Sequence, residues 1–223
     1  MNVTRSRSQV QGRFPKLRAG TKYRQTLEAL FIEAARMTGS DPLGVASVLQ
    51  RHQINAVFIG GLTVGCLSGR PRATRDIDLI AGDVRFSKKV LQELGAVVDS
   101  KKVERHPSFL SFIRRGPAGD HEVLDIITSQ AGSYRLVFAN AQKLQIGKIA
   151  ISIPTAEMMV VLKYTAAVNP VRPKTKKMQD WADLFAVVDA NPGIKMPLIR
   201  HLADEVVPGF GDDVAEKIKA HRK

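Results

Sequence analysis

At residue 56 the hydrophobic pattern of this chain changes period, and that change does most to limit the folds open to it. Upstream, Leu27, Leu30, Phe31, Ala34 and Ala35 recur at helical spacing from Tyr23 onward, so they share one face of a helix. Gly39-Ser40-Asp41-Pro42 ends that helix and opens a second, about Leu43 to His52. Short apolar runs follow: Ala56-Val57-Phe58-Ile59, closed by Gly60-Gly61, and Asp76-Ile77-Asp78-Leu79-Ile80. Runs of this length bounded by turn residues read as buried strands. A short helical stretch, Leu62 to Leu67, and the basic segment 69–75 lie between them.

The pattern predicts a helix over 86–94, strands over 96–99, 108–114 and 122–127, and a short strand near 148–153. Beyond Pro154 only helical spacing remains, over about 155–168, 178–190, 195–206 and 211–221. The expected fold is therefore mixed α/β: a basic arm over 1–20, an α/β domain over 21–153 and an all-helical domain over 154–223.

Composition agrees with a packed protein. The 223 residues are 44% hydrophobic and 25% charged, enough apolar surface to exclude collagen-like and largely disordered chains. No apolar run approaches the ~18 residues of a membrane span, and no apolar stretch follows the basic N-terminus to make a secretory signal. The single cysteine, Cys66, excludes an intramolecular disulfide framework or a multi-cysteine zinc site. A cytoplasmic location without membrane attachment is the expectation. Charge adds a positive indication: Lys and Arg outnumber Asp and Glu to leave +13, and seven basic residues precede the first acidic one, Glu28. Such an excess favours polyanions, nucleic acid above all.

Asp76-Ile77-Asp78 is the most informative tripeptide. Side chains at i and i+2 of a strand share a face, so the two carboxylates would sit side by side. Two readings are open from these residues alone: a solvated face of an amphipathic strand, or a pair whose mutual repulsion a divalent cation relieves. Upstream, Gly60-Gly61 at a strand-to-helix turn lets backbone N–H groups approach a phosphate, or is an ordinary tight turn. Downstream, Asp125 is a lone carboxylate inside Val123-Leu124-Asp125-Ile126-Ile127, where a charge needs a partner or a metal. The five histidines lack ligand spacing, and neither a Ser-His-Asp order nor a Walker-type phosphate loop is present.

Taken in order, Gly60-Gly61, Asp76-x-Asp78 fifteen residues later and Asp125 between hydrophobics resemble the signature of the DNA polymerase β-like nucleotidyltransferase superfamily. The stretches Gly60-Gly61-Leu62-Thr63-Val64 and Arg72-Ala73-Thr74-Arg75-Asp76-Ile77-Asp78-Leu79 are especially similar to the AbiEii/MenA-type toxin nucleotidyltransferases. So are Pro154-Thr155-Ala156-Glu157, Leu162-Lys163-Tyr164-Thr165-Ala166 and Lys177-Met178-Gln179-Asp180-Trp181-Ala182-Asp183-Leu184. The resemblance covers about 55–190. It departs at Gly61, where many members carry a phosphate-contacting serine, for which Thr63 or the backbone would substitute. The basic loop holding Pro170 and Pro173 is also longer.

The resemblance implies a minimal mixed sheet flanked by helices and followed by a helical bundle. It implies transfer of NMP from an NTP to an acceptor hydroxyl with release of pyrophosphate, using two Mg²⁺ ions or Mn²⁺. Asp76 and Asp78 would hold both ions, Asp125 mainly the one at the acceptor hydroxyl. Lys163, alone in an apolar helix, would either snorkel to the surface or face the triphosphate. Gly60, Gly61 and Thr63 would line the nucleotide phosphates, and Arg72, Thr74 and Arg75 would grip phosphates, order the loop through hydrogen bonds or form a solvated basic turn. Asp180 and Asp183, three apart on one helix face, read as a surface pair or as partners of Lys174, Lys176 and Lys177. The implied acceptor is RNA, at the tRNA acceptor end, and the implied partner a cognate antitoxin. Transfer to a protein or a small molecule, and a catalytically silent nucleic-acid-binding module, are the alternatives.

Overall fold

The computed structural model describes residues 21–71, 73–81, 88–94, 97–98, 109–114, 121–127 and 132–223. The expected basic arm and Arg72 lie outside the described residues. Helix α1 (Thr21–Arg36) buries Leu27, Phe31 and Ala34 completely, the face its spacing selected. In α2 (Pro42–Arg51) the Asp41 carboxylate accepts the Gly44 N–H at 2.9 Å, and proline occupies the first position, so the helix start is satisfied locally. Strand β1 (Val57–Ile59) runs straight into α3 (Gly60–Ser68). Every residue of α3 from Gly61 onward is buried, which makes it the central helix of the fold and explains why its sequence shows no polar face.

Strands β2 (Ile77–Ile80), β3 (Val97–Val98), β4 (Phe109–Arg114) and β5 (His121–Ile127) join β1 in a five-stranded sheet of order β1-β2-β5-β4-β3. Helix α4 (Lys88–Glu93) lies between β2 and β3 in the chain. β2 and β5 are parallel, and the other neighbours are antiparallel. Both central strands are apolar at alternate positions on the covered face: Ile77 and Leu79 are wholly buried, as are Leu124 and Ile126 or nearly so. The remaining faces carry the polar residues of interest.

After α5 (Gly132–Ala139) a hairpin of β6 (Ala141–Ile146) and β7 (Ile149–Pro154) packs beside β1. Four helices complete the chain: α6 (Ala156–Val168), α7 (Lys174–Ala190), α8 (Met196–Val206) and α9 (Phe210–His221). α7 packs on α6 and α3. Its end is tied to α3 by Asn191, whose Nδ2 donates to the Leu67 carbonyl at 2.9 Å and to Val187 at 2.7 Å. One continuous cluster of buried side chains runs from Leu27 to Ile218. Among the described residues no helix is long and apolar enough to cross a membrane.

The mixed sheet with flanking helices and a helical C-terminal part is the architecture expected. Three differences have local causes. Helix α5 and strand β6 have no clear signature in the sequence: α5 is only eight residues, GSYRLVFA, rich in side chains equally at home in strands, and β6 buries only Leu144. Helix α7 starts at Lys174 rather than 178 because Pro173 precedes it with φ −55°. The basic first turn, unfavourable to the helix dipole, disguises that start.

Cys66 is wholly buried, its thiol donates to the Leu27 carbonyl at 3.2 Å, and burial pushes its pKa up to about 12. Native protein at pH 8 is therefore expected to resist alkylation by iodoacetamide, with full reaction only in denaturant; mass spectrometry of both samples checks this.

Candidate active site

The site begins where β1 turns into α3. Gly60 adopts φ +72°, a left-handed conformation, and a Cβ built on it would stand 1.8 Å from Oδ2 of Asp78. Glycine is required there twice, by backbone conformation and by the approach of the carboxylate. Register explains the approach: Ile59 is directly opposite Asp78 in the β1–β2 pair. The start of α3 has no side-chain cap, so Gly60-Gly61 brings helix N-terminal backbone, with its partial positive charge, beside the carboxylate.

Asp78 is in turn paired with Asp125 across the parallel β2–β5 ladder. Paired residues on neighbouring strands project to one face, so the two carboxylates meet. Asp76 sits in the turn just before β2 and completes a trio in which one ligand atom from each residue lies within 4.8 Å of the others. Asp125 is buried at 7% exposure, whereas Asp76 and Asp78 are half-buried. Two unit negative charges at such a distance repel by roughly 3–4 kcal/mol at an effective dielectric near 20. Three hard carboxylate oxygens converging in this way fit Mg²⁺ or Mn²⁺.

The turn holding Asp76 is built by contacts far apart in sequence. The Thr74 hydroxyl lies 3.2 Å from both the carbonyl and Oδ1 of Asp76. Thr74 forms an isolated bridge with Thr38, and the Gly39 N–H donates to the Thr74 carbonyl at 3.1 Å. The Ser40 hydroxyl reaches the carbonyls of Arg75 at 3.3 Å and Val123 at 3.0 Å. The turn between α1 and α2 thus clamps the Asp76 loop to β5, a role hidden in a segment that reads only as a helix terminator. Ser111 of β4 is a second such residue: it is opposite Asp125 and donates to Oδ1 of that carboxylate at 2.6 Å. The signal was a serine at the centre of the otherwise apolar Phe-Leu-Ser-Phe-Ile strand.

Thr63 is placed differently from the expectation. It is wholly buried, and its hydroxyl donates to the Phe58 carbonyl at 3.0 Å, tying α3 to β1 instead of facing the phosphates. Thr74 braces Asp76, and the Arg75 side chain is exposed beside it.

Lys163 extends from α6, whose Thr155 cap accepts the Met158 N–H at 3.3 Å. Its Nζ lies 3.1 Å from Oδ1 of Asp180 and 2.8 Å from Oδ2 of Asp183. Arg172 also binds Asp180, through both Nε and Nη2, and Gln179 donates to Asp183 at 2.7 Å. The expectation of a surface pair, or of partners among Lys174, Lys176 and Lys177, is corrected here. Asp180 and Asp183 are 1% and 3% exposed, and carboxylates so deep require close cationic partners. The one cation in apolar α6 and the guanidinium preceding α7 supply them.

Comparison with known proteins bears on this arrangement. No curated protein matches the chain. Solved structures are similar at low identity, two of them as follows. An antigenic nucleotidyltransferase-like protein from Paracoccidioides brasiliensis is 16% identical, with TM-score 0.41, covering 88% of this chain and 93% of its own. The antibiotic-resistance factor ANT(2'')-Ia is 12% identical, with TM-score 0.40, covering 88% and 100%. Residues 46–221 match the family described as nucleotidyl transferase AbiEii toxin, type IV TA system. That span takes in the Gly60 turn, the three carboxylates and the Lys163 network, and with it the chain belongs to the AbiEii nucleotidyltransferase toxin family.

Proposed function

We propose that this nucleotidyltransferase moves NMP from an NTP to a hydroxyl of RNA, at the tRNA acceptor end, as the toxin of a toxin–antitoxin pair in the cytoplasm. The observation that carries the chemistry is the meeting of Asp76, Asp78 and Asp125 beside the α3 N-terminus. The acceptor oxygen attacks the α-phosphorus, the bond to the bridging oxygen breaks, and pyrophosphate leaves. When bound, two Mg²⁺ ions, or Mn²⁺, supply charge neutralisation on the phosphates and lower the pKa of the attacking hydroxyl. Asp76, Asp78 and Asp125 would hold them, and Asp125 would accept the acceptor's proton.

The backbone of Gly60 and Gly61, with Arg75 and Arg72, would bind the nucleotide phosphates. Lys163 would exchange part of its contact with Asp180 and Asp183 for the triphosphate. The +13 net charge supports a polyanionic acceptor, since phosphate neutralisation dominates RNA affinity. A cognate antitoxin is the partner the family suggests.

The test incubates the protein with Mg²⁺, each α-labelled NTP in turn and total bacterial RNA, with Asp76→Ala/Asp78→Ala as control. Label on tRNA-sized RNA from one NTP, reduced at least 1000-fold in the control, is expected. Label on protein instead would replace RNA as acceptor. Absence of transfer to either would remove the RNA and protein readings together.

A further inference from the structure

We propose that Ser111 is a positioning residue for the carboxylate trio, fixing Asp125 in the orientation that a divalent cation requires. The inference rests on the reading of the trio as a metal site. Ile59, Asp78, Asp125 and Ser111 form one row across β1, β2, β5 and β4. Asp125 therefore has Asp78 on one side and Ser111 on the other. The serine is 0% exposed and its hydroxyl donates to Oδ1 at 2.6 Å, the length of a charge-assisted O–H···O⁻ bond.

The chemistry of the position favours this role. A hydroxyl inside an apolar strand is unfavourable unless it is hydrogen-bonded, and packing alone would be served by alanine or valine. The terminal torsion of an aspartate is soft, so burial of the Asp125 side chain does not by itself set the plane of its carboxylate. A donor on Oδ1 does. Next to the contact the β4–β5 register shifts between Phe112 and Ile113, leaving Val123 of β5 without an opposite residue in β4. The Val123 carbonyl is taken up by Ser40 at 3.0 Å. The bulge begins one pair beyond Ser111 and Asp125, and Ser40 keeps the displaced Val123 backbone satisfied there.

Partners of this kind change metal affinity more than stability, typically about 10–100-fold. The experiment titrates Mn²⁺ into the full chain without nucleotide, following free Mn²⁺ by electron paramagnetic resonance, for wild type, Ser111→Ala and Ser111→Thr, with Asp125→Asn as the lost-ligand control. Ser111→Ala is expected to weaken Mn²⁺ binding about tenfold, with thermal stability close to wild type, and to require correspondingly more metal for half-maximal transfer. Ser111→Thr, which keeps the donor, stays within about threefold.

If Ser111→Ala fails to fold, Ser111→Cys, similar in size but a weak donor, carries the same expectation. Wild-type affinity in the folded Ala or Cys variant overturns the positioning role while leaving the metal site intact. Absence of Mn²⁺ binding to wild type overturns both.

Discussion

Gly60→Ala is expected to lower nucleotidyl transfer at least 100-fold while the protein still folds. Two effects act at this position and can be separated. The first is conformational: at φ +72° a residue with a Cβ costs about 1–2 kcal/mol. The second is the collision of that Cβ with Asp78, at 1.8 Å from Oδ2, 2.6 Å from Cγ and 2.8 Å from Cβ. Because even the Asp78 Cβ is too close, rotating the carboxylate away is insufficient. The backbone must give instead: β1 separates from β2, which displaces Asp78 and the Gly60 turn relative to each other by the order of 1 Å that costs about 100-fold.

Gly69 provides the control. It is also left-handed, at φ +64°, but nothing lies within 4 Å of a Cβ there. Gly69→Ala should show the conformational cost alone, about 2–8 °C in Tm for a chain of this size, with transfer near wild type. Thermal melts and transfer rates of both variants make the comparison. Equal, wild-type-like rates would show that the close approach at Gly60 is not needed for chemistry.

The parts of the site legible in the sequence were those written locally. Asp76, Asp78 and Asp125 stand out because each interrupts or borders an apolar run, and strand alternation predicts where two of them point. The Gly60 turn is legible for the same reason, a glycine pair at a change of period. What escaped were contacts that exist only through long-range pairing. Ser40 reaches Val123 across 83 residues, and nothing around Ser40 distinguishes it from an ordinary helix terminator. Ser111 meets Asp125 only because β4 and β5 pair in one register. Asp180 and Asp183 read as surface because the cations nearest in sequence are the lysines of the same helix, whereas the fold pairs them with Lys163 and Arg172.

That buried network yields the second large effect. Lys163→Met is expected to lower stability by about 3–5 kcal/mol, because it leaves two deeply buried carboxylates facing one guanidinium. Arg172 can lean on Asp180 but does not replace the contact at Asp183, and its side chain is 36% exposed against 12% for Lys163. Adding Asp183→Asn removes the unmatched charge and keeps a group that can still bond Gln179. The double variant is expected to recover much of the loss, so the two substitutions are strongly non-additive, as neighbours in one network should be.

Stability and transfer then separate the two roles of the lysine. A purely structural lysine would let transfer return with folding in Lys163→Met/Asp183→Asn. A lysine that also meets the triphosphate leaves the double variant folded and at least 100-fold slower, since an ammonium aimed at developing phosphate charge has no substitute in a thioether. Denaturant melts paired with single-turnover transfer on wild type, Lys163→Met, Asp183→Asn and the double variant decide between them. A double variant with both wild-type stability and wild-type rate would confine Lys163 to the fold.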